Sequence, residues 1–202
     1  MANDPNKIRF APNGSLYVAM LVGDTVKPPV DLGDGVAPPV GYKALGYVDE
    51  GGVTLTPAME TQPVNAWQSA TAVLFNVTSA SFSVKATLQE TNEITTELFW
   101  GAQWVEIMSS ETPAVGTGVF RLDLASTPDL KEISLVVDWN QGAIRNRCVI
   151  PRAMISDRGA IQLSRTENGK FELTIEALDS AGILGYVLTN DDIIPGTKTS
   201  TG

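Results

Sequence analysis

Residues 69–101 constrain the fold of this chain more strongly than any other stretch. From position 82 to 89, apolar and polar residues alternate strictly, which is the pattern of a strand with one buried and one solvated face. The more apolar residues 73–78 precede it, and Ser79-Ala80 is predicted to turn the chain between two strands of a hairpin. Four polar side chains are expected on the solvated face: Ser83, Lys85, Thr87 and Gln89.

A short helix is predicted directly after this hairpin, over about residues 92–100. Asn92 can cap the helix, Glu93 places a carboxylate in the first turn, and Gly101 can end it. A helix of this length is marginal alone in water, so it must dock on the sheet. Its inward stripe is expected to contain three apolar residues: Ile94, Leu98 and Phe99.

Strand and turn signals recur along the rest of the chain. Residues 49–52 (DEGG) and 140–142 (NQG) are predicted turns between strands. Asn168-Gly169 separates residues 161–166 from residues 171–177 and is the strongest hairpin signal, because both residues tolerate positive φ. The predicted fold class is mainly β: a β-sandwich or partial barrel of about ten short strands with one short α-helix.

The length of 202 residues predicts a single domain spanning positions 1–202. Its β-rich core is expected at 14–190. Within it, residues 22–44 contain too much Pro and Gly for regular structure and are predicted to form a flexible loop. The polar residues 190–202 are predicted to be a disordered tail. No apolar run is long enough to span a membrane and the N-terminus does not resemble a signal peptide, so no membrane anchor is expected.

The residues that usually carry catalysis are scarce. The chain has no histidine, which removes the commonest general base and metal ligand, and its one cysteine, Cys148, lies in an alternating run typical of a buried strand. No phosphate-binding loop is present. We therefore expect no enzyme activity, no metal and no cofactor. The net charge of −9 also argues against a protein that grips DNA, because such proteins neutralise phosphates with Lys and Arg.

Three segments carry a family resemblance: residues 45–57 (LGYVDEGGVTLTP), 65–68 (NAWQ) and 88–92 (LQETN) with the following helix. Together, and with the closing hairpin, they resemble the major tail proteins of long-tailed, non-contractile bacteriophages. The resemblance implies a tail tube subunit of the virion, made in the host cytoplasm. Its copies would form stacked hexameric rings, through which DNA passes without specific binding during infection. It also implies contacts with the tape measure, tail tip and terminator proteins.

On this interpretation, the solvated strand residues Ser83, Lys85, Thr87 and Gln89 are candidates to face the lumen. The Gly-rich turn and the long loop are candidates for contacts between rings, through six residues: Asp31, Asp34, Asp49, Glu50, Gly51 and Gly52. Two alternatives remain open from sequence. One is a carbohydrate-binding β-sandwich module, although the four tryptophans of this chain are scattered over different elements, which argues against an aromatic row that stacks on sugars. The other is a virion component of related fold, such as a tail terminator or a decoration protein.

Overall fold

The computed structural model describes residues 3–21, 26–34, 37–110, 114–127 and 131–192. Apart from a 3-10 turn at Pro5–Lys7, these residues form ten strands and one α-helix, α1, at Glu93–Trp100. The strands are β1 (Asn13–Met20), β2 (Lys43–Ala44), β3 (Val48–Val64), β4 (Leu74–Leu88), β5 (Val105–Met108), β6 (Gly116–Arg121), β7 (Ile133–Gln141), β8 (Ile144–Arg158), β9 (Phe171–Ala177) and β10 (Tyr186–Thr189). The predicted mainly β fold with a single short helix is confirmed.

Eight strands form one antiparallel sheet, in the order β2-β1-β7-β8-β9-β4-β3 with β10 also paired to β8. The long strand β8 is shared: its first half pairs with β10, and its second half pairs with β9 along the same edge. Strands β1 and β3 lie near opposite ends of this order but contact each other. The sheet therefore curls towards closure, as expected of a partial barrel.

The main core lies inside this curl. Alternate residues of β1, β7 and β8 meet those of β4 and β9, and the buried side chains include Leu16, Leu135, Ile150, Val84 and Leu173. Helix α1 covers the cluster through Leu98 and Phe99, and the Phe99 ring packs edge-on against Phe171 at 5.3 Å between centroids.

The helix begins and ends as predicted. The Asn92 side chain accepts a hydrogen bond from the Thr95 backbone N–H at 2.9 Å, and Gly101 follows the last turn with φ 72°. Leu98 and Phe99 are buried and Ile94 is partly buried. Thr95 and Thr96 are also buried, and both hydroxyl groups are hydrogen-bonded. The Thr95 hydroxyl donates to the Leu45 carbonyl, and the Thr96 hydroxyl accepts a hydrogen bond from the indole N–H of Trp104.

Two predicted turns are wrong. Ser79-Ala80 lies inside the continuous strand β4, and residues 49–52 lie inside β3. Both flanks of each segment pair with the same partner strand, and this pairing overrides the local turn signal. The extra residues are absorbed as bulges, where the pairing register shifts between Val48 and Val53 and again between Glu60 and Thr61.

The predicted hairpin around Asn168-Gly169 is also wrong. Residues 161–166 form no strand, and β9 pairs instead with β4 and β8. In this position the apolar face of β9 contributes Phe171, Leu173 and Ile175 to the main core. By contrast, the turn predicted at 140–142 is confirmed, with Gly142 at φ 60° between β7 and β8.

In the described parts of the chain, no helix is long and apolar enough to cross a membrane.

Candidate assembly surfaces

The outer part of the β3–β4 pair projects from the sheet as a two-stranded arm. From Ser83 onwards β4 pairs with both β3 and β9, but residues 74–82 pair with β3 alone. We call residues 57–80 the β-arm. Its strand residues 57–64 extend over about 25 Å at the usual rise of a strand.

The β-arm is amphipathic. Opposed residues of an antiparallel pair share a face, and the register places Met59 opposite Ala80, Thr61 opposite Val77, and Pro63 opposite Phe75. One face is therefore largely apolar, whereas the opposite face carries more polar residues, among them Glu60, Gln62 and Asn76.

The apolar face continues the core face of β4 beyond the body. Along β4 the inward stripe is buried at Leu88, Ala86 and Val84, the last with 0% exposure. Further out, Phe75 on the same stripe is 62% exposed, and Met59, which pairs with Ala80 on this face, is 64% exposed. Nothing else in the described chain covers this face, and uncovered apolar patches of this kind mark interaction sites.

A second uncovered apolar surface lies on the two-stranded sheet of β5 and β6, which we call the β5–β6 ribbon. No other described strand pairs with either of its edges. Val105 and Ile107 alternate with Glu106 along β5, and Val119 alternates with Phe120, the partner of Glu106. The three therefore lie on the face opposite Glu106, and all three are exposed. On the opposite face the Glu106 carboxylate folds over Gly116 and accepts a hydrogen bond from Gly118 N–H at 3.0 Å.

Charge is nearly absent from both surfaces. Between positions 51 and 84 the only charged residue is Glu60, although the chain as a whole has a net charge of −9. On the β5–β6 ribbon the charged side chains are Glu106 and Arg121, and Arg121 is paired with Asp123 at 2.7 Å. Copies of an acidic chain repel each other least where such uncharged surfaces meet.

Three of the four predicted lumen residues, Ser83, Lys85 and Thr87, lie on the outward face of β4. Glu172, Thr174 and Glu176 of β9 share this face, and Asp157 of β8 continues it opposite Thr174. The Glu172 carboxylate lies 2.8 Å from Lys85 and raises the pKa of that ammonium group, with a further contribution from Asp157. This face of β4, β9 and the end of β8 thus carries three carboxylates and one cation, so it is acidic.

Gln89, the fourth predicted lumen residue, follows the end of β4 and bonds Asp49 instead. The Asp49 carboxylate also accepts a hydrogen bond from Lys170 at 2.9 Å, and these two bonds lower the pKa of Asp49. Glu50, Gly51 and Gly52 lie beside it in the β3 bulge and are exposed. The structure therefore brings Gln89, a predicted lumen residue, into contact with Asp49, a predicted ring-contact residue.

Asp31 and Asp34 lie apart from that bulge, on a segment that packs over the second face of β1, β7 and β8. Each carboxylate stabilises its own loop: Asp31 accepts from Gly33 N–H and Asp34 from Ala37 N–H. Buried Arg147 fastens this segment, donating to the Asp31 carbonyl while its guanidinium pairs with Asp138 at 2.7 Å. Tyr42 closes the other end over Val136 and Val149. Positions 22–25 and 35–36 of the predicted flexible loop lie outside the described residues.

The first residues of the predicted disordered tail are attached to the body. The Asp191 carboxylate is almost fully buried and pairs with Arg9 at 2.6 Å, so it joins the two ends of the described chain. Asn190 accepts a hydrogen bond from Arg145 N–H at 2.7 Å. Positions 193–202 lie outside the described residues.

Within the described ranges, no group of three or more Cys, Asp or Glu side chains is arranged to hold a metal ion. Cys148 is buried in the sheet as predicted, and this burial raises the pKa of its thiol to about 11. It is therefore a poor nucleophile.

Sequence reasoning missed the β-arm and the β5–β6 ribbon as surfaces. The signal for the β-arm was present: a stretch of more than thirty residues with one charge, in which β-branched and aromatic residues recur. The small residues at 79–80 resemble a turn and predict a hairpin within residues 73–89, whereas β4 continues through them.

Comparison with known families gives one match over almost the whole chain. A family model described as phage tail tube protein matches residues 1–199. No curated protein matches the chain. Among solved structures, a chain of the "Virion of native gene transfer agent (GTA) particle" is similar with a TM-score of 0.40 and 10% identity, covering 71% of this chain and 88% of that one. This similarity is too weak to support a functional conclusion.

Proposed function

The chain belongs to the phage tail tube protein family, and on that premise we propose that its copies form hexameric rings that stack into a hollow tube for DNA passage. As a family member it is a structural component of the phage tail. Tape measure, tail tip and terminator proteins are its proposed neighbours in the particle.

The observation that carries this proposal is the uncovered apolar face of the β-arm. A chain with a net charge of −9 is held apart from its copies by repulsion, yet it exposes Met59, Phe75 and Val77 on an almost uncharged projection. Burying such side chains stabilises by about 25 cal/mol per Å² of apolar surface, and a second copy is the partner that a polymer requires.

The sheet supports the tube geometry. Strands β8, β9, β4 and β3 are adjacent and share the acidic outward face. If each of six subunits contributed four such strands, a strand spacing of about 4.8 Å and a tilt of about 40° would give a backbone diameter of roughly 45–50 Å. Side chains would leave a channel of roughly 35–40 Å, which is wider than a DNA duplex.

The acidic face supports the lumen assignment of Ser83, Lys85 and Thr87, and Gln89, which bonds Asp49 just beyond the end of β4, is proposed as the fourth lumen residue. A conduit should not bind DNA, and carboxylates around Lys85 offer no counterion release to the phosphates. Glu50, Gly51 and Gly52 in the exposed bulge, with Asp49 beside them and Asp31 and Asp34 in turns of the packed segment, are proposed to contact the next ring.

The test is electron microscopy of negatively stained protein at high concentration, together with size-exclusion chromatography. The wild type should form rings or hollow tubes. F75E places a charge on the apolar face of the β-arm and should leave a folded monomer. N76E adds the same charge to the neighbouring position on the opposite face and should still assemble.

Assembly of F75E into normal tubes would contradict the role of the β-arm. A density map in which the face of Lys85 and Glu172 points away from the channel would contradict the lumen assignment.

A further inference from the structure

The apolar face of the β-arm requires a complementary surface, and a second copy of the chain provides one. Among the described residues, half of the exposed large hydrophobic side chains lie in the β-arm and the β5–β6 ribbon. Within a single chain both surfaces are open to solvent. We infer that the apolar face of the β-arm in one copy packs on the Val105, Ile107 and Val119 face of the β5–β6 ribbon in a neighbouring copy. This inference rests on the proposed function.

The low charge of both surfaces favours this pairing. The β-arm carries only Glu60, which lies on its more polar face. The chosen ribbon face carries Arg121 at its end, already neutralised by Asp123. The opposite ribbon face holds the Glu106 carboxylate, whose burial under an apolar arm would cost free energy without a new partner.

The symmetry of the assembly favours the same pairing. If two β-arms covered each other, the contact would be a closed two-fold dimer that leaves no site for a third copy. A β-arm that packs on a different surface makes a head-to-tail contact, and such contacts generate rings or filaments. Both surfaces are two-stranded ribbons with free edges, so they can stack face to face as sheets do.

Chemical cross-linking tests the inference directly. The chain has one cysteine, and Cys148 is only 1% exposed, so V77C and V119C would be the reactive thiols. Treated with a short bis-maleimide, the V77C/V119C protein should give a ladder of covalent oligomers. V77C alone and V119C alone should remain monomers, and their equal mixture should give dimers.

Charge reversal gives a second readout. V77E and V119K should each raise the concentration needed for assembly by about tenfold or more, which corresponds to about 1.4 kcal/mol per contact. An equal mixture of the two should assemble better than either alone. F120K adds the same charge to the opposite ribbon face and should behave like the wild type.

Covalent dimers from V77C alone would show that the β-arms of two copies pack on each other, which would overturn the inference. Wild-type tubes with no V77C–V119C cross-link would overturn it while leaving the proposed function standing. A wild type that remains monomeric even at the highest soluble concentration would overturn both.

Discussion

The β1–β7–β8 part of the sheet and the β-arm use the same alternating strand pattern with opposite results. In β1 and β7 both faces are buried: Leu16 and Leu135 face the main core, while Tyr17 and Val136 lie under the segment closed by Tyr42. In the β-arm neither face is covered by the described residues, and Phe75 is 62% exposed. Alternation therefore specifies which residues share a face, whereas the covering element decides whether that face contributes to folding or to assembly.

The largest expected difference between these regions is in stability. L135A removes a side chain with 0% exposure and should lower the free energy of unfolding by about 3 kcal/mol. F75A removes a larger side chain from the β-arm but should change it by less than about 0.5 kcal/mol. Urea denaturation of both variants, as monomers at low concentration, measures the contrast. Equal losses would mean that the β-arm is already covered within the monomer.

A smaller loss of stability is expected at Arg147, which anchors the segment around Asp31 over β1, β7 and β8. R147M leaves the Asp138 carboxylate partly buried without its guanidinium partner and should cost about 2 kcal/mol. Arg145 also donates to this segment, at the Gly33 carbonyl, yet R145M should cost much less because this bond is exposed and water can replace it. Thermal unfolding ranks the two variants, and a greater loss in R145M would refute the anchoring role of Arg147.

The smallest effect concerns pH at the β3 bulge. Because bonds from Lys170 and Gln89 lower the pKa of Asp49 in the folded chain, its stabilising contribution is present above the unfolded pKa of about 4. This contribution is lost as the pH falls through the lower folded value. D49N should therefore be less stable than the wild type at pH 7, and the difference should shrink towards pH 3. A difference that stays constant over this range would contradict the prediction.

The elements predicted correctly are those whose signals are local. The helix needed only Asn92 to cap it and Gly101 to end it, and the β7–β8 turn needed only a glycine at positive φ. The turn predicted at Ser79-Ala80 was wrong because a local preference for turning is weaker than continued pairing with β3. The Asn168-Gly169 hairpin was wrong because residues 161–166 form no strand, and both edges of β9 are occupied by β4 and β8, which are more distant in sequence.

For the candidate surfaces, the sequence predicted the polar face of β4 through strict alternation at positions 82–89. It did not reveal that Glu172, Glu176 and Asp157 would make that face acidic, because they come from strands distant in sequence. Nor did it reveal that Arg147 would fasten a segment more than a hundred residues away.

Periodicity, capping and short motifs along the chain were enough to predict the fold class, the helix, the faces of the strands and the resemblance to tail proteins. Which of those faces are covered could be seen only in the folded arrangement. Whether a face is covered depends on elements far apart in sequence meeting in space. Residues 74–82 of β4 project beyond the body because β9 pairs only with residues 83–88 and no other described element covers the rest.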